Sequence, residues 1–171
     1  MTSSREIGAG STCVLDTNIL LYAHQQTSAG ASRLVRRCAA ADIMGILPSV
    51  VWEELSHRLM VAEAVATGRI SGPNPARKLA EHPEVVRELS AYRMSLAELS
   101  VMGLRFEPVS REDVLVGAVD LQKRHGLLTN DSIIAAFTLR LGIDCLVTSD
   151  RSFTAVPGLT VLVLDDLEQS S

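Results

Sequence analysis

Apolar residues fall along this chain in two patterns, short unbroken runs and longer stretches in which they return every three or four positions. Cys13-Val14-Leu15 is an unbroken run that suits a strand buried on both faces. It stops at Asp16-Thr17-Asn18, and Ile19 to Tyr22 continues as a short helix over 18–24. A second helix spans 28–41, with Leu34, Val35 and Cys38 on one side and Arg33, Arg36 and Arg37 toward another. Gly45-Ile46-Leu47-Pro48 is a second strand stopped by proline. Ser49 then caps a helix over 50–67, in which Trp52, Leu55 and Leu59 fall at core spacing.

The segment 68–75, with two glycines and two prolines, is the strongest loop signal in the chain. It opens a helical hairpin, a short piece over 75–81 and then, after Pro83, a long helix over 84–102 carrying Val85, Val86, Leu89, Met94, Leu96 and Leu99. Its expected role is to cover one end of the sheet or to form a subunit contact. A strand over 106–109 follows, and Ser110-Arg111-Glu112-Asp113 resembles a capping box opening a helix that runs through Arg124 and stops at Gly126. Asn130 is the best cap for the next helix, which Asp131 opens, Ala135 and Ala136 hold close to the sheet, and Gly142 closes. Strands over 144–148 and 160–164 complete the chain. This alternation predicts an α/β fold with a mostly parallel sheet and right-handed crossovers, in one domain over 12–165 with loose tails at 1–11 and 166–171.

Composition narrows the picture. The 171 residues carry a net charge of −4, which gives no general attraction to nucleic acid, so such a role must rest on local patches or bound cations. The basic face of Arg33, Arg36 and Arg37 is ordinary solvated surface or a phosphate contact. Cys13, Cys38 and Cys145 are odd in number, far apart and without paired spacing, as expected of buried thiols in a reducing cytoplasm. No apolar run approaches the roughly 20 residues of a membrane span.

Three carboxylates occupy equivalent topological places. Asp16 and Asp150 each lie just past a strand, and Asp131 lies in the first turn of the helix leading to the second of those strands. A fourth acid, Glu53 or Glu54, stands one turn into the helix after the second strand, and only one of the pair can face the sheet edge. Each alone is explained as a helix-start acid. Together they would crowd like charges into the crevice where open α/β sheets bind ligands, and a hard divalent cation such as Mg²⁺ or Mn²⁺ would relieve that crowding. The four histidines show no ligand spacing.

Val14-Leu15-Asp16-Thr17-Asn18-Ile19-Leu20, Pro48-Ser49-Val50-Val51-Trp52-Glu53-Glu54-Leu55, Asp131-Ser132-Ile133-Ile134-Ala135-Ala136 and Leu146-Val147-Thr148-Ser149-Asp150-Arg151-Ser152-Phe153 together resemble, in order, the four signatures of PIN-domain ribonucleases. The resemblance spans 13–164. It implies a three-layer α/β/α sandwich, dependence on Mg²⁺ or Mn²⁺, and endonucleolytic cleavage of RNA that leaves 5′-phosphate-type ends. It places the catalytic acids on Asp16, Glu54, Asp131 and Asp150, with Asp16, Asp131 and Asp150 on the metal and Glu54 binding directly, through water or at a second ion. Accessory polar positions fall on Asn18 and on Thr148 or Ser149. The chain is also similar to the toxin subunits of VapBC toxin–antitoxin pairs, which implies an antitoxin partner and a homodimer, and it departs from them in its longer middle, 68–100.

Two rivals remain at this level. A receiver-type phosphoacceptor domain also sets acids and a Thr at parallel strand ends, but wants an acidic pair near its first strand and a strand-end Lys; the only lysines are Lys78 and Lys123. A catalytically silent PIN-like scaffold would keep the acids as helix caps.

Overall fold

A computed structural model describes residues 7–168, so of the expected tails at 1–11 and 166–171 the parts 1–6 and 169–171 lie outside the described residues. The strands are β1 (Thr12–Leu15), β2 (Met44–Pro48), β3 (Leu104–Glu107), β4 (Cys145–Val147) and β5 (Val161–Leu162). They form one fully parallel sheet in the order β3-β2-β1-β4-β5. The helices are α1 (Thr17–His24), α2 (Ala29–Ala39), α3 (Ser49–Ala66), α4 (Pro75–Glu81), α5 (Pro83–Glu88), α6 (Ala91–Glu98), α7 (Glu112–His125), α8 (Thr129–Arg140) and α9 (Asp165–Glu168). The result is the expected α/β/α sandwich. Cys13, Val14 and Leu15 are fully buried, as a central parallel strand covered on both faces must be.

The chain winds outward from β1 through β2 to β3, then returns to lay β4 on the other side of β1 and β5 beyond it. The switch point of the sheet therefore lies between β1 and β4. Cys13 and Cys145 are register partners across that pair. The Cys13 thiol is pushed far up by its contact with Cys145 and by burial, and burial holds Cys38 at about 11, so both pack as neutral apolar groups.

Several local expectations fail for identifiable reasons. Trp52 is 38% exposed, because Val51, Leu55 and Leu59 take the buried stripe of α3 and the position after Val51 is turned about 100° from it. Ser49 does not cap α3; its hydroxyl accepts the backbone N–H of Val109, and α3 starts at Ser49 itself. The capping box at 110–113 does not form. Asp113 instead accepts from Arg111 and Arg140, tying the start of α7 to the end of α8, and these two guanidinium groups hold its carboxyl well below the usual range. Gly126, at φ 72°, ends α7 as expected. Strand β3 begins two residues earlier than the apolar pattern suggested and lies at the sheet edge, where Phe106 is exposed. Of the basic face on α2, Arg37 is committed to Asp42 (2.5 Å) and the carbonyl of Ile7 (2.7 Å), a structural use.

The expected long helix over 84–102 is broken into α5 and α6, and Met94 on it is largely exposed. The cause is Glu63 of α3. Its carboxylate accepts the backbone N–H groups of Ser90 (2.9 Å), Ala91 (3.0 Å) and Tyr92 (2.8 Å), so a new helix starts where the old one would have continued. Burial is the largest single influence on the Glu63 carboxyl and raises it, but the three N–H groups and Arg69 together hold it below its ordinary range. A small second core of Ala64, Ile70, Leu79 and Leu89 sits beneath this hairpin, which packs along α3. At the other end of the chain, Asp166 in α9 accepts from the Ser28 hydroxyl (2.8 Å) and Gly30 N–H (3.0 Å), pinning the segment after β5 to the start of α2. No helix among the described residues is long and apolar enough to cross a membrane.

Replacing Glu63 with Ala should lower stability by about 1–2 kcal/mol, the usual loss for a helix N-terminal cap. Urea denaturation measures this, and increased proteolysis within 84–100 would place the loss in the hairpin.

Candidate active site

Asp16 is the residue at which β1 becomes α1. One carboxylate oxygen accepts the backbone N–H of Thr17 (2.7 Å), so the capping role is real. The other accepts the hydroxyl of Thr148 (2.6 Å), just past β4. The same Thr148 oxygen accepts the backbone N–H of Asp150 (3.0 Å). One hydroxyl therefore bridges the ends of the two strands that flank the switch point and fixes both acids relative to each other. Thr148 is fully buried, so this bridge is shielded from competing water.

Asp16 is itself only 6% exposed, and its pKa is raised. Burial is the main cause, opposed by the Thr148 and Thr17 hydrogen bonds and reinforced by the charges of Glu54 and Asp150. A carboxylate present only as a cap gains up to ~1 kcal/mol from the helix start when ionised. Here ionisation is resisted overall, so capping does not account for the position.

Asp131 stands in the first turn of α8 and is half-buried. Its carboxyl is pushed up to about 6, first by burial and then by the charges of Asp16, Asp150 and Glu54. That influence brings all four expected acids into one electrostatic neighbourhood. The expected cap Asn130 does not cap α8, which starts at Thr129; its side-chain amide instead donates to Glu54 (3.2 Å). Glu54 is the partly buried member of its pair, while Glu53 is exposed. The other oxygen of Glu54 stands 3.5 Å from Arg58, whose guanidinium also donates to the side-chain carbonyl of Asn18 (2.8 Å). Asp150 receives the Ser152 N–H (2.8 Å) in the 3-10 turn that follows it.

Of the accessory positions, Thr148 touches Asp16 directly and Asn18 reaches the site through Arg58. No side-chain hydrogen bond of Ser149 occurs among the described residues. Two participants were missed from sequence: Asn130, assigned to capping, and Arg58, whose spacing four residues after Glu54 was the available signal. Thr17, next to Asp16, has a buried hydroxyl with no partner among the described residues. A cavity of about 390 Å³ between α1, α2, α3 and α6, lined by Leu20, Val35, Leu59 and Leu99, contains none of these acids.

The donor set is all oxygen and strongly anionic, the chemistry that hard divalent cations select. Among the described residues no three acids stand close enough to hold one ion as they are, so the fit is one of donor chemistry without a preformed cage.

The PIN-domain family model matches residues 13–159, most of the chain. The chain belongs to the PIN-domain family. A comparison with curated protein sequences finds no match. Among solved structures, this PIN domain is similar to a chain of the VapBC2 complex from Rickettsia felis bound to a promoter DNA fragment, with TM-score 0.60, 17% identity, and 90% of this chain and 99% of that one covered. It is similar to DNA-bound VapBC from Salmonella typhimurium (TM-score 0.57, 16% identity, 90% and 98% covered) and to a toxin–antitoxin complex from Klebsiella pneumoniae (TM-score 0.52, 18% identity, 90% and 97% covered). At these identities the likeness is one of fold.

Two outcomes check this site. Because the Asp131 carboxyl is raised in the folded state, its ionisation opposes folding; that stability is fully present below about pH 4 and is lost as pH rises through about 6. In EDTA, Asp131→Asn should therefore be more stable than the parent by about 1–2 kcal/mol above pH 7, a figure already reduced for solvent screening. The gain should vanish near pH 4, and thermal melts across pH read it directly. In addition, Thr148→Val should weaken Mn²⁺ binding roughly 10- to 100-fold by calorimetry while Thr148→Ser stays close to the parent.

Proposed function

We propose that this PIN domain is a divalent-metal-dependent endoribonuclease, the toxin of a toxin–antitoxin pair. The observation that carries the reading is the gathering of Asp16, Glu54, Asp131 and Asp150 at the switch point of the sheet, where Asp131 feels the charge of the other three. Four mutually repelling carboxylates are a poor arrangement for a scaffold and a useful one for a cation.

Asp16, Asp131 and Asp150 would hold Mg²⁺ or Mn²⁺, with Glu54 at the same or a second ion. When bound, the metal supplies Lewis acidity, lowering the pKa of an attacking water and offsetting charge on the phosphodiester. The chain's own groups set the geometry. Thr17 N–H and the Thr148 hydroxyl each donate to one oxygen of Asp16 and so fix its orientation, while the Thr148 oxygen, accepting Asp150 N–H, fixes the turn bearing the second acid. Asn130 and Arg58 hold opposite oxygens of Glu54. In hydrolysis, water adds to phosphorus as the bond to the leaving ribose oxygen breaks.

The toxin reading also draws on fold likeness to chains from toxin–antitoxin complexes, which the chain covers almost completely. A homodimer and an antitoxin are its expected partners, and Leu115, Val116 and Val119, exposed together on α7, offer apolar surface for one of them. A reducing cytoplasm is the expected setting.

The purified protein should cut single-stranded RNA in Mn²⁺, stop in EDTA, and lose cutting in Asp16→Asn without loss of metal-free thermal stability. Cleavage that persists in EDTA, or in Asp16→Asn, would refute the assignment.

A further inference from the structure

A net charge of −4 and four clustered acids leave open how a polyanion is held at the crevice. Among the described residues, Arg58 is the one Lys or Arg in a salt bridge with any of the four acids. It lies one turn after Glu54 on α3 and reaches to α1, donating from Nη1 to Asn18 (2.8 Å) and standing 3.5 Å from Glu54. Both contacts use Nη1. No hydrogen bond among the described residues uses Nε or Nη2, and the side chain is 45% exposed.

An exposed ion pair at this separation is weak and yields readily to a stronger partner. A guanidinium with its Nε and Nη2 edge unspent matches two non-bridging oxygens of a phosphodiester. Asn18 and Glu54 hold the group through Nη1 between α1 and α3, one turn along α3 from Glu54, with the other edge available to a ligand.

We propose that Arg58 is the phosphate-docking residue of this site: it rests on Glu54 and Asn18 in the free protein and engages the RNA backbone when substrate binds. This rests on the nuclease reading and adds to it the contact that brings a polyanion to an acidic crevice. Because the contact is to the backbone, it carries no sequence preference.

The test is binding of fluorescein-labelled single-stranded RNA of mixed sequence to the full chain, with Ca²⁺ replacing Mn²⁺ and intact RNA verified on a gel. Arg58→Ala should weaken binding about tenfold and flatten the slope of log Kd against log salt by about 0.7, the loss of one phosphate contact on a single strand. Arg58→Lys should keep the slope with weaker binding, and Ca²⁺ affinity by calorimetry should not fall in either variant. An unchanged salt slope in Arg58→Ala overturns the proposal, as does loss of RNA binding in step with Ca²⁺ affinity, which would mean that Arg58 acts only through Glu54. A parent protein that neither binds nor cuts RNA overturns the nuclease reading itself, before any variant is compared.

Discussion

The hydroxyl of Thr148 placed between Asp16 and the backbone of Asp150 is the interaction on which the site depends. Two strands adjacent in space but 132 positions apart in sequence end at this point, and each delivers a carboxylate. The hydroxyl donates to the Asp16 carboxylate and accepts the Asp150 backbone N–H, so it ties the two strand ends together although their carboxylates repel. With it, Asp16 is held deep in the sheet edge, where burial keeps its pKa raised despite two hydrogen bonds. Burial outweighs hydrogen bonding here.

The rest of the fold can be understood as holding that edge. The fully buried run Cys13-Val14-Leu15 fixes where β1 ends, and β4 beside it in register fixes where Thr148 begins. Ala135 and Ala136, both buried, let α8 lie close to its neighbours and so bring Asp131 to the crevice. Helix α3 carries Glu54 and Arg58 on the site side and Glu63 at its far end, where it organises the hairpin. One helix thus joins the chemistry to the longer middle of the chain, and the loop-rich hairpin is built around a carboxylate that takes no part in the acid cluster.

Much of this was legible in the sequence, for physical reasons. Strands buried on both faces leave unbroken apolar runs, and the acids that end them are conspicuous because chain polarity changes within one residue. Glu54 was distinguishable from Glu53 only through its place before Leu55 in the family pattern; the structure shows it as the half-buried one. What could not be read depended on partners distant in sequence. The break at Ser90 is imposed by Glu63, Asn130 looked like a cap until Glu54 was seen beside it, and Trp52 follows the helical period nearly as well as the Val51 that displaces it. Topology pointed to acids at the strand ends and the family pattern chose Glu54, whereas the Thr148 bridge and the reach of Arg58 to Asn18 are tertiary facts with no local trace.

The central claim is that these acids share a divalent ion. Crystals grown with Mn²⁺ and measured for anomalous scattering test it most directly. The account predicts a peak between the carboxylates of Asp16 and Asp150 with Asp131 in its coordination shell. A clear map with no peak there, or with Asp16 and Asp150 turned to separate surfaces, would contradict it.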